Sequence, residues 1–481
     1  MLQRSIVSAV VMLALLLGTP LALRNIMADP HEMDSMDAVS MTNQQTATNR
    51  LQPENFAYLG SFRLPGGETP PRTFAYGGNA MTFNPDGDKT GPQDGFPGSL
   101  FITGHDRLPY GDLPDGGQVA EVTIPVPIVS KHLNQLKRAS FLQNFENVLR
   151  GRFTNMEEIP HIGMQYLNTA ATGPKIHFGW GQHLATDPPV PTYVWFSPIL
   201  KTPDIKGTWY VGKQLYYGLN DYLFEIPKLW ADQNVKGRYL ATGRFRDGGW
   251  AGMGPVLYAY RPWIDEKGTP AKSAAHLPES VLLRYQDSME SDEIVHCLKD
   301  YQHPDEWEGG AWLTTSTGKS AVLFAGTKGT GAKYWYGYYH STDPNIPCVE
   351  VEMIGQFTLC RLANGQPCPE EDLHGCVNQN QYRGWWSARF DAQFILYDPT
   401  DLKKVATKKM ASWRPQPYVS IDIDEHLLLN PSHVEEEMIG RGVQRRHRIG
   451  GVAYDRKNDL LYVLEWYADG TKPIIHVWRV R

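Results

Sequence analysis

The chain has 481 residues, of which 46 are Lys or Arg and 52 are Asp or Glu, so its formal net charge is −6. This mildly acidic balance excludes the basic footprint that phosphate binding requires, and we predict no nucleic-acid partner. A chain of this length can form one large all-β domain or two to three domains of ordinary size.

Residues 1–28 have the pattern of a secretory signal peptide. Arg4 precedes the uncharged apolar run Ile6–Leu17, and the small residue Ala28 offers a cleavage position. An uncleaved membrane anchor is the alternative, because the apolar character extends beyond this run to a marginal spanning length. We therefore predict a secreted, periplasmic or cell-envelope protein that contacts a membrane only through this segment, if it is retained. Residues 29–52 are polar and are predicted to form a flexible leader.

The rest of the chain repeats one unit of short apolar runs separated by turn residues. The runs of an early unit are Gly77–Phe83, Leu100–Thr103, Val119–Ile124 and Ser140–Phe145. Those of a later unit are Gly309–Leu313, Ala321–Gly326, Phe394–Pro399 and Tyr418–Asp422. The last unit contains Arg448–Asp455, Leu460–Glu465 and Ile474–Arg479. Two weaker units contain Ile176–Trp180 with Tyr193–Phe196, and Val256–Pro262 with Val281–Tyr285. Repetition of one unit indicates that sheets of a single type are stacked next to one another.

The last unit has three runs, and Phe56–Leu64 forms one strand ahead of the first unit. An N-terminal strand that completes a C-terminal sheet closes the ring of a β-propeller and leaves no exposed sheet edge. We therefore predict an all-β fold: a single β-propeller over residues 53–481 with about five blades, six or seven being possible.

The Gly-Gly-x-Ala-Tyr-Asp pattern at Gly450–Asp455 has a looser copy at Gly77–Phe83. In these units the chain resembles a group of exported bacterial β-propeller proteins. The resemblance covers most of the chain after residue 53. It implies a propeller fold and carries no function.

Four of the five cysteines lie close together, at spacings looser than the CxxC pairs of metal sites. They are Cys348, Cys360, Cys368 and Cys376, and Cys297 lies apart. In an oxidising compartment, two disulfides that staple one long loop are the favoured interpretation, with the pairing left open. Free thiols in a cytosolic protein are the alternative, which the signal sequence disfavours. The cysteine-rich segment, at about residues 341–380, is predicted to be an insertion between the second and third strands of its unit.

In a propeller, the loops after the second and fourth strands of each blade gather around one end of the central channel, where ligands bind. In this chain these loops combine carboxylates, histidines, arginines and aromatic rings, which suits a sugar. The ligand-binding candidates are Tyr76, His105, Arg107, His183, Tyr336, Arg446, Arg448 and Trp466. The same loops contain Arg72, Glu157, Glu158, His161, Asp305 and Glu306.

Three carboxylates, Asp106, Glu308 and Glu465, are catalytic candidates. Glycoside hydrolysis requires two carboxyl groups about 5 to 10 Å apart, and Asp106 and Glu465 each end an apolar second strand. The alternative for these two is that they brace strand ends through backbone N–H groups. Arg445–Arg448 can clamp a uronate or a sulfate, the alternative being a solvated basic turn.

His105, His183 and His447 are candidate bases or metal ligands, but they come from different units and share no ligand spacing. The sequence has no Walker-type phosphate loop, no Rossmann fingerprint and no GxSxG elbow. We predict no cofactor and no metal.

These patterns favour an exported propeller that binds, and in a stronger form of the hypothesis cleaves, a carbohydrate-type or other small polar ligand in its central channel. As an enzyme it is expected to be a glycoside hydrolase or a polysaccharide lyase. A non-catalytic protein-interaction scaffold of the cell envelope is the main alternative. A metal-dependent polysaccharide lyase or hydrolase that uses the three histidines is the second alternative.

Overall fold

The computed structural model describes residues 49–481 except 67–68, 106, 109–110, 113–116, 153–159, 183–189, 215–217, 220, 247–251, 288–293, 338–349, 355–356, 362–383, 430–438 and 441. Within these residues the chain forms five sheets of four or five strands. Two short hairpins accompany them.

The strands follow the chain in sheet order, apart from the first strand, β1 (Phe56–Arg63), and β15 (His276–Leu277), which belongs to the second sheet. The first sheet contains β2 (Met81–Asn84), β3 (Ser99–Thr103), β6 (Gln118–Thr123) and β7 (Phe141–Asn147), with a hairpin of β4 (Arg107–Leu108) and β5 (Gly111–Asp112). The second contains β8 (Pro160–Thr169), β9 (Gly173–Gln182), β10 (Tyr193–Phe196), β11 (Lys206–Val211) and the added strand β15 (His276–Leu277). The third contains β12 (Leu223–Glu225), β13 (Leu240–Thr242), β14 (Leu257–Tyr260) and β16 (Ser280–Leu283).

The fourth sheet contains β17 (Glu306–Thr314), β18 (Ser320–Gly337), β21 (Gly384–Tyr397) and β22 (Val419–Asp422). A hairpin of β19 (Glu350–Ile354) and β20 (Phe357–Arg361) lies between β18 and β21 in the chain. The fifth contains β23 (Arg448–Asp455), β24 (Leu460–Asp469), β25 (Lys472–Val480) and β1. The α-helices are α1 (Lys228–Asn234) and α2 (Pro399–Ala406). Short 3-10 helices span Pro53–Asn55, Gly91–Gln93, Leu133–Gln135, Asp424–His426 and Gly442–Gln444.

The innermost strands of the five sheets form a closed ring. Strand β2 contacts β8, β8 contacts β12, β12 contacts β17, β17 contacts β23, and β23 returns to β2. The described part of the chain is therefore a five-bladed β-propeller, as the repeated units predicted. Strand β1 pairs antiparallel with β25 from Phe56↔Val480 to Arg63↔Ile474, which confirms the predicted closure by an N-terminal strand.

Among the described residues, the five largest clusters of buried apolar side chains each lie between two neighbouring sheets. For example, Phe101 of the first sheet and Phe178 of the second are fully buried in one cluster. Each sheet in the ring is therefore covered on both faces, which explains why the strands are apolar runs and not alternating patterns. Leu51, in the segment predicted to be a leader, is also fully buried and packs between the fourth and fifth sheets.

The first and fifth sheets agree with the predicted runs to within a few residues, since their inner strands carry a glycine-rich signature. In the fourth sheet, β18 and β21 extend about ten residues beyond the predicted runs Ala321–Gly326 and Phe394–Pro399. The second and third sheets differ more. The predicted run Ile176–Trp180 is the second strand of its sheet, and Val256–Pro262 is the third strand of its own. Their innermost strands, β8 and β12, were missed, because β12 has three residues and neither strand begins with two glycines.

Candidate functional site

The starts of the innermost strands bring polar side chains from different sheets to one end of the channel. His161 is the second residue of β8, Asp221 lies two residues before β12, and Glu308 is the third residue of β17. Arg448 begins β23 in the next sheet. We call this end of the ring the channel mouth.

Three buried side chains at the channel mouth form a compact group, which we call the His-Asp-Glu triad: His161, Asp221 and Glu308. Nδ1 of His161 lies 3.7 Å from Oδ2 of Asp221 and 3.5 Å from Oε2 of Glu308. One ligand-type atom from each of the three residues lies within 4.8 Å of the others. The triad is the one such group of three or more His, Cys, Asp or Glu found among the described residues, so these side chains are the candidates for holding a metal ion.

A small cavity lies next to the triad. Its volume is about 10 Å³, and it is lined by Glu308, by the residues next to His161 and Asp221, and by apolar side chains such as Met81 and Val452. This volume is close to the minimum that holds one water molecule.

A second group, which we call the arginine cluster, surrounds a single carboxylate in β17. Glu306 lies 3.2 Å from Arg448, 3.8 Å from Arg446 and 3.9 Å from Arg246. Three guanidinium groups therefore converge on one carboxylate. Together with the triad, they give the channel mouth charged groups of both signs.

Aromatic rings hold these charged groups in position. The ring of Phe245 stacks on His161 with centroids 3.8 Å apart. The guanidinium of Arg446 lies 4.6 Å from the ring of Trp386, and that of Arg448 lies 5.5 Å from the ring of Trp466. Stacking of this kind limits the rotamers of the arginine side chains, so packing against the rings sets the direction of their N–H groups.

Glu465 is a buried carboxylate with four hydrogen-bond donors. The ring nitrogens of His447 and His476 donate to it at 2.9 Å each, and the backbone N–H groups of Leu428 and Leu429 donate at 2.8 and 2.7 Å. Although burial alone raises its pKa, these hydrogen bonds and the two histidines hold that pKa well below its usual range. The contacts match the bracing alternative, because a carboxylate saturated by donors is poorly suited to transfer a proton.

The other predicted ligand-binding residues that can be located lie near the rim. Tyr76 is half-buried, and its ring is 5.4 Å from that of His105. Nδ1 of His105 donates to the carbonyl of Ala75 at 2.5 Å, and burial lowers the pKa of this histidine. The ring nitrogen of Trp466 donates to the carbonyl of Gly78 at 2.9 Å, which ties the fifth sheet to the first.

Several predicted site residues lie outside the described residues, namely Asp106, His183, Cys348, Cys368 and Cys376. Arg107, Tyr336 and Cys360 lie in strands β4, β18 and β20, without a described side chain. The convergence proposed for Asp106, Glu308 and Glu465, and the disulfides, therefore remain predictions. Cys297 is a free, half-buried thiol.

The sequence reasoning did not assign Asp221 or Arg246 to the site. Both residues lie next to strands of the third sheet. Its first two strands, β12 and β13, have three residues each, so no repeat marked the positions of Asp221 and Arg246. His161, Glu306 and Glu308 were on the loops that the propeller rule selected, and the structure places all three at the channel mouth. The signal for Asp221 is an acidic residue directly before the apolar stretch Tyr222–Phe224.

Among the described residues, no helix is both long and apolar enough to span a membrane. No family model and no curated protein matches the chain. Its structure is similar to that of the PQQ domain of a pyranose dehydrogenase from Coprinopsis cinerea, with 10% identity and a TM-score of 0.32 over 87% of this chain and 100% of that chain. It is also similar to a chain of a humanized mutant of the Chaetomium thermophilum Polycomb Repressive Complex 2 bound to an inhibitor, with 10% identity and a TM-score of 0.31 over 88% of this chain and 97% of that chain. Neither likeness carries information about the ligand.

Proposed function

We propose that this propeller binds an acidic carbohydrate at the channel mouth. The observation that carries the proposal is the arginine cluster, in which Arg246, Arg446 and Arg448 surround Glu306. With the export predicted from residues 1–28, the expected ligand is an extracellular polysaccharide that bears carboxylate or sulfate groups.

The chemistry of the cluster favours an acidic over a neutral sugar. A guanidinium group presents two parallel N–H donors that match the two oxygens of a carboxylate or sulfate. Arg446 is held against Trp386 and Phe390, at 4.6 and 4.9 Å, so its orientation is set by packing before a ligand arrives. Preorganised side chains lose little conformational entropy when they bind.

Binding is better supported than glycoside hydrolysis. Ligand-type oxygens of Asp221 and Glu308 lie within 4.8 Å of each other. This contact places both carboxylates in one buried group with His161, whereas glycosidases hold two carboxyl groups on either side of the scissile bond. Glu465 is engaged by two histidines and two backbone N–H groups. We therefore include no cleavage step in the proposal.

The test is calorimetric titration of the full chain with oligouronates, sulfated oligosaccharides and neutral oligosaccharides of equal length. Arg446→Gln and Arg448→Gln are each expected to weaken binding of the acidic ligands by about tenfold or more, because each removes a charge-assisted hydrogen bond. Arg414→Gln is the matched control: Arg414 also stacks on a tryptophan, Trp413, at 5.4 Å, but it is exposed and belongs to a different surface.

The proposal fails if no acidic oligosaccharide binds, or if neutral oligosaccharides bind as tightly as acidic ones. It also fails if Arg446→Gln and Arg448→Gln both bind acidic ligands as tightly as the parent does. The circular dichroism spectrum of each variant shows whether it retains the native fold. Capture of a protein ligand that competes at the same arginines would instead support the interaction-scaffold alternative and overturn the carbohydrate assignment.

A further inference from the structure

We infer that the His-Asp-Glu triad binds a single divalent transition-metal ion, with Zn²⁺ the best match. The inference goes beyond the proposed function and does not depend on it, since the triad lies below the arginine cluster and would hold the ion with or without a sugar. Its residues come from the second, third and fourth sheets, so the ion would connect three blades at the start of their innermost strands.

The spacing of the ligand atoms fits a shared ion better than direct contacts. The separations of 3.5 and 3.7 Å from Nδ1 of His161 exceed the range of about 2.7 to 3.2 Å for a good hydrogen bond. Ligands at about 2.1 Å from a tetrahedral Zn²⁺ ion are about 3.4 Å apart. The two separations from Nδ1 of His161 are within a few tenths of an ångström of that value, and the ligand-type oxygens of Asp221 and Glu308 lie within 4.8 Å of each other.

The charges of the triad also call for a cation. Asp221 and Glu308 are 1% and 3% exposed, and His161 is 5% exposed. Two carboxylates this close in a buried site repel each other, which favours the binding of a cation between them. A divalent ion next to a neutral imidazole balances both carboxylates, and neutral imidazole is the form that coordinates a metal.

The three ligands are held rigidly before any ion binds. Phe245 stacks on the ring of His161, which restricts the plane of the imidazole. A Cβ atom at Gly163 would overlap the carbonyl oxygen of Asp221, so the strands that carry these two ligands approach as closely as glycine allows. The backbone N–H of Asp221 donates to the carbonyl of Gly243 at 3.0 Å. This hydrogen bond fixes Asp221 to the residue that follows β13. Such support of the ligands raises metal affinity.

A small cavity borders one member of the triad. Its volume of about 10 Å³ is close to the minimum for one water molecule, and it is lined by Glu308, Ile162 and Tyr222. The mixed set of one imidazole and two carboxylates favours Zn²⁺ or Mn²⁺ over Ca²⁺ and Mg²⁺, which prefer shells made of oxygen.

The full chain is first treated with a chelator and dialysed. Calorimetry then measures the binding of Zn²⁺, Mn²⁺, Ca²⁺ and Mg²⁺, and the melting temperature is measured with and without each ion. We expect one Zn²⁺ or Mn²⁺ ion per chain and a higher melting temperature in its presence, because an ion that binds only the folded state stabilises it. His161→Gln, Asp221→Asn and Glu308→Gln should each weaken the binding of Zn²⁺ by about 100-fold or more. His276→Gln, at an exposed histidine, is the control for adventitious binding and should leave the affinity unchanged.

The melting temperatures of the metal-free parent and variants distinguish a metal site from an ordinary cluster of ion pairs. If the triad is a metal site, Asp221→Asn and Glu308→Gln should lower the melting temperature more in the presence of Zn²⁺ than in chelator, because the ion stabilises the folded parent. Equal losses of stability with and without metal would overturn the inference. So would the absence of stoichiometric Zn²⁺ and Mn²⁺ binding, tighter binding of Ca²⁺ or Mg²⁺, or an unchanged Zn²⁺ affinity in all three variants.

Discussion

Two buried ionisable side chains, Glu465 and His177, accommodate burial in opposite ways. Glu465 keeps its charge, because two histidines and two backbone N–H groups replace the water that it loses. His177 is fully buried beside Trp195, and neither of its ring nitrogens has a hydrogen-bond partner among the described residues. Burial, aided by the charge of Lys175, lowers its pKa to about 3, so His177 stays neutral at physiological pH.

Replacing Glu465 by Gln should destabilise the protein. The substitution removes the negative charge between His447 and His476 and leaves fewer acceptors for four donors, which we expect to cost about 3 kcal/mol. The melting temperature measured by calorimetry should fall accordingly. Glu425→Gln is the control, because Glu425 is 82% exposed and pairs with His426 at the surface. A drop no larger than that of the control would mean that Glu465 does not brace the segment around Leu428.

The same carboxylate should make the protein sensitive to acid. Because folding holds the pKa of Glu465 below its usual value of 4.5, the stability that it contributes is complete above that pH and is lost as the pH falls below it. Melting temperatures measured from pH 6 to pH 3 should therefore converge for the parent and Glu465→Gln. Parallel curves over that range would contradict the assignment of a charged Glu465 in the folded state.

His177 predicts a second loss of stability, at higher pH. Its pKa is lowered in the folded protein from 6.5 to about 3, so on acidification the unfolded chain takes up the proton first. Stability should fall as the pH drops below about 6.5, by about 2 kcal/mol at pH 5. His177→Phe should flatten this part of the profile, whereas His132→Gln, at an exposed histidine, should not. Equal slopes for parent and His177→Phe would refute the prediction.

At the scale of the strands, the paired glycines have a steric cause. The innermost strands of neighbouring sheets converge on the channel, and their backbones come into direct contact. A Cβ atom at Gly451 would lie 2.6 Å from the backbone nitrogen of Met81, and one at Gly309 would overlap the side chain of Val452. The backbone N–H of Gly451 also donates to the carbonyl of Gly78 at 3.1 Å, from one sheet to the next. The repeated Gly-Gly signature therefore reflects the close approach of blades and not a ligand.

Gly451→Ala should consequently destabilise the ring. The added methyl group forces β23 away from the first sheet, and overpacking of this kind costs about 1 to 3 kcal/mol. Gly66→Ala is the matched control, because its Cβ would meet only the flexible ends of Lys472 and Arg138. Thermal unfolding of the two variants distinguishes the effects. A Gly451→Ala protein as stable as Gly66→Ala would show that the inner strands have room to move apart.

At the scale of the whole molecule, stability depends on closing the ring. The fifth sheet joins β1 to β23, β24 and β25, strands almost 400 residues later in the chain, so it exists only when all five sheets are in place. Phe62 and Leu64 are fully buried in the cluster shared by the fifth and first sheets. Without β1, the edge of β25 would be left unpaired and prone to association with other chains.

A chain that begins at Gly66 should therefore associate, whereas one that begins at Asn49 and keeps β1 should remain monomeric. Size-exclusion chromatography and limited proteolysis compare the two proteins directly. We expect larger species and faster cleavage for the shorter chain, because its fifth sheet has lost its outer strand. A monomeric, protease-resistant protein that begins at Gly66 would show that the remaining sheets close without β1.

Much of this fold was predictable from the sequence because the determining forces are local. Apolar runs at regular spacing mark strands that are buried on both faces, and the glycine pairs mark the inner strands of three sheets. The inner strand Leu223–Glu225 could not be recognised, since three residues carry no periodic signal and its position is set by packing between β8 and β17. For the same reason Asp221 was missed, while His161 and Glu308, which the sequence assigned to loops, lie at the starts of β8 and β17.

The sequence by itself determined the class of the fold, the closure by β1 and the end of the ring at which polar residues gather, because each follows from hydrophobic burial and strand order. Only the tertiary structure decided the partners of those residues. It placed Glu465 between two histidines, Arg446 and Arg448 around Glu306, and His161 beside Asp221 and Glu308. These contacts join residues up to about 150 positions apart, and their distances depend on how closely the inner strands of neighbouring blades approach, a property that no single stretch of sequence encodes.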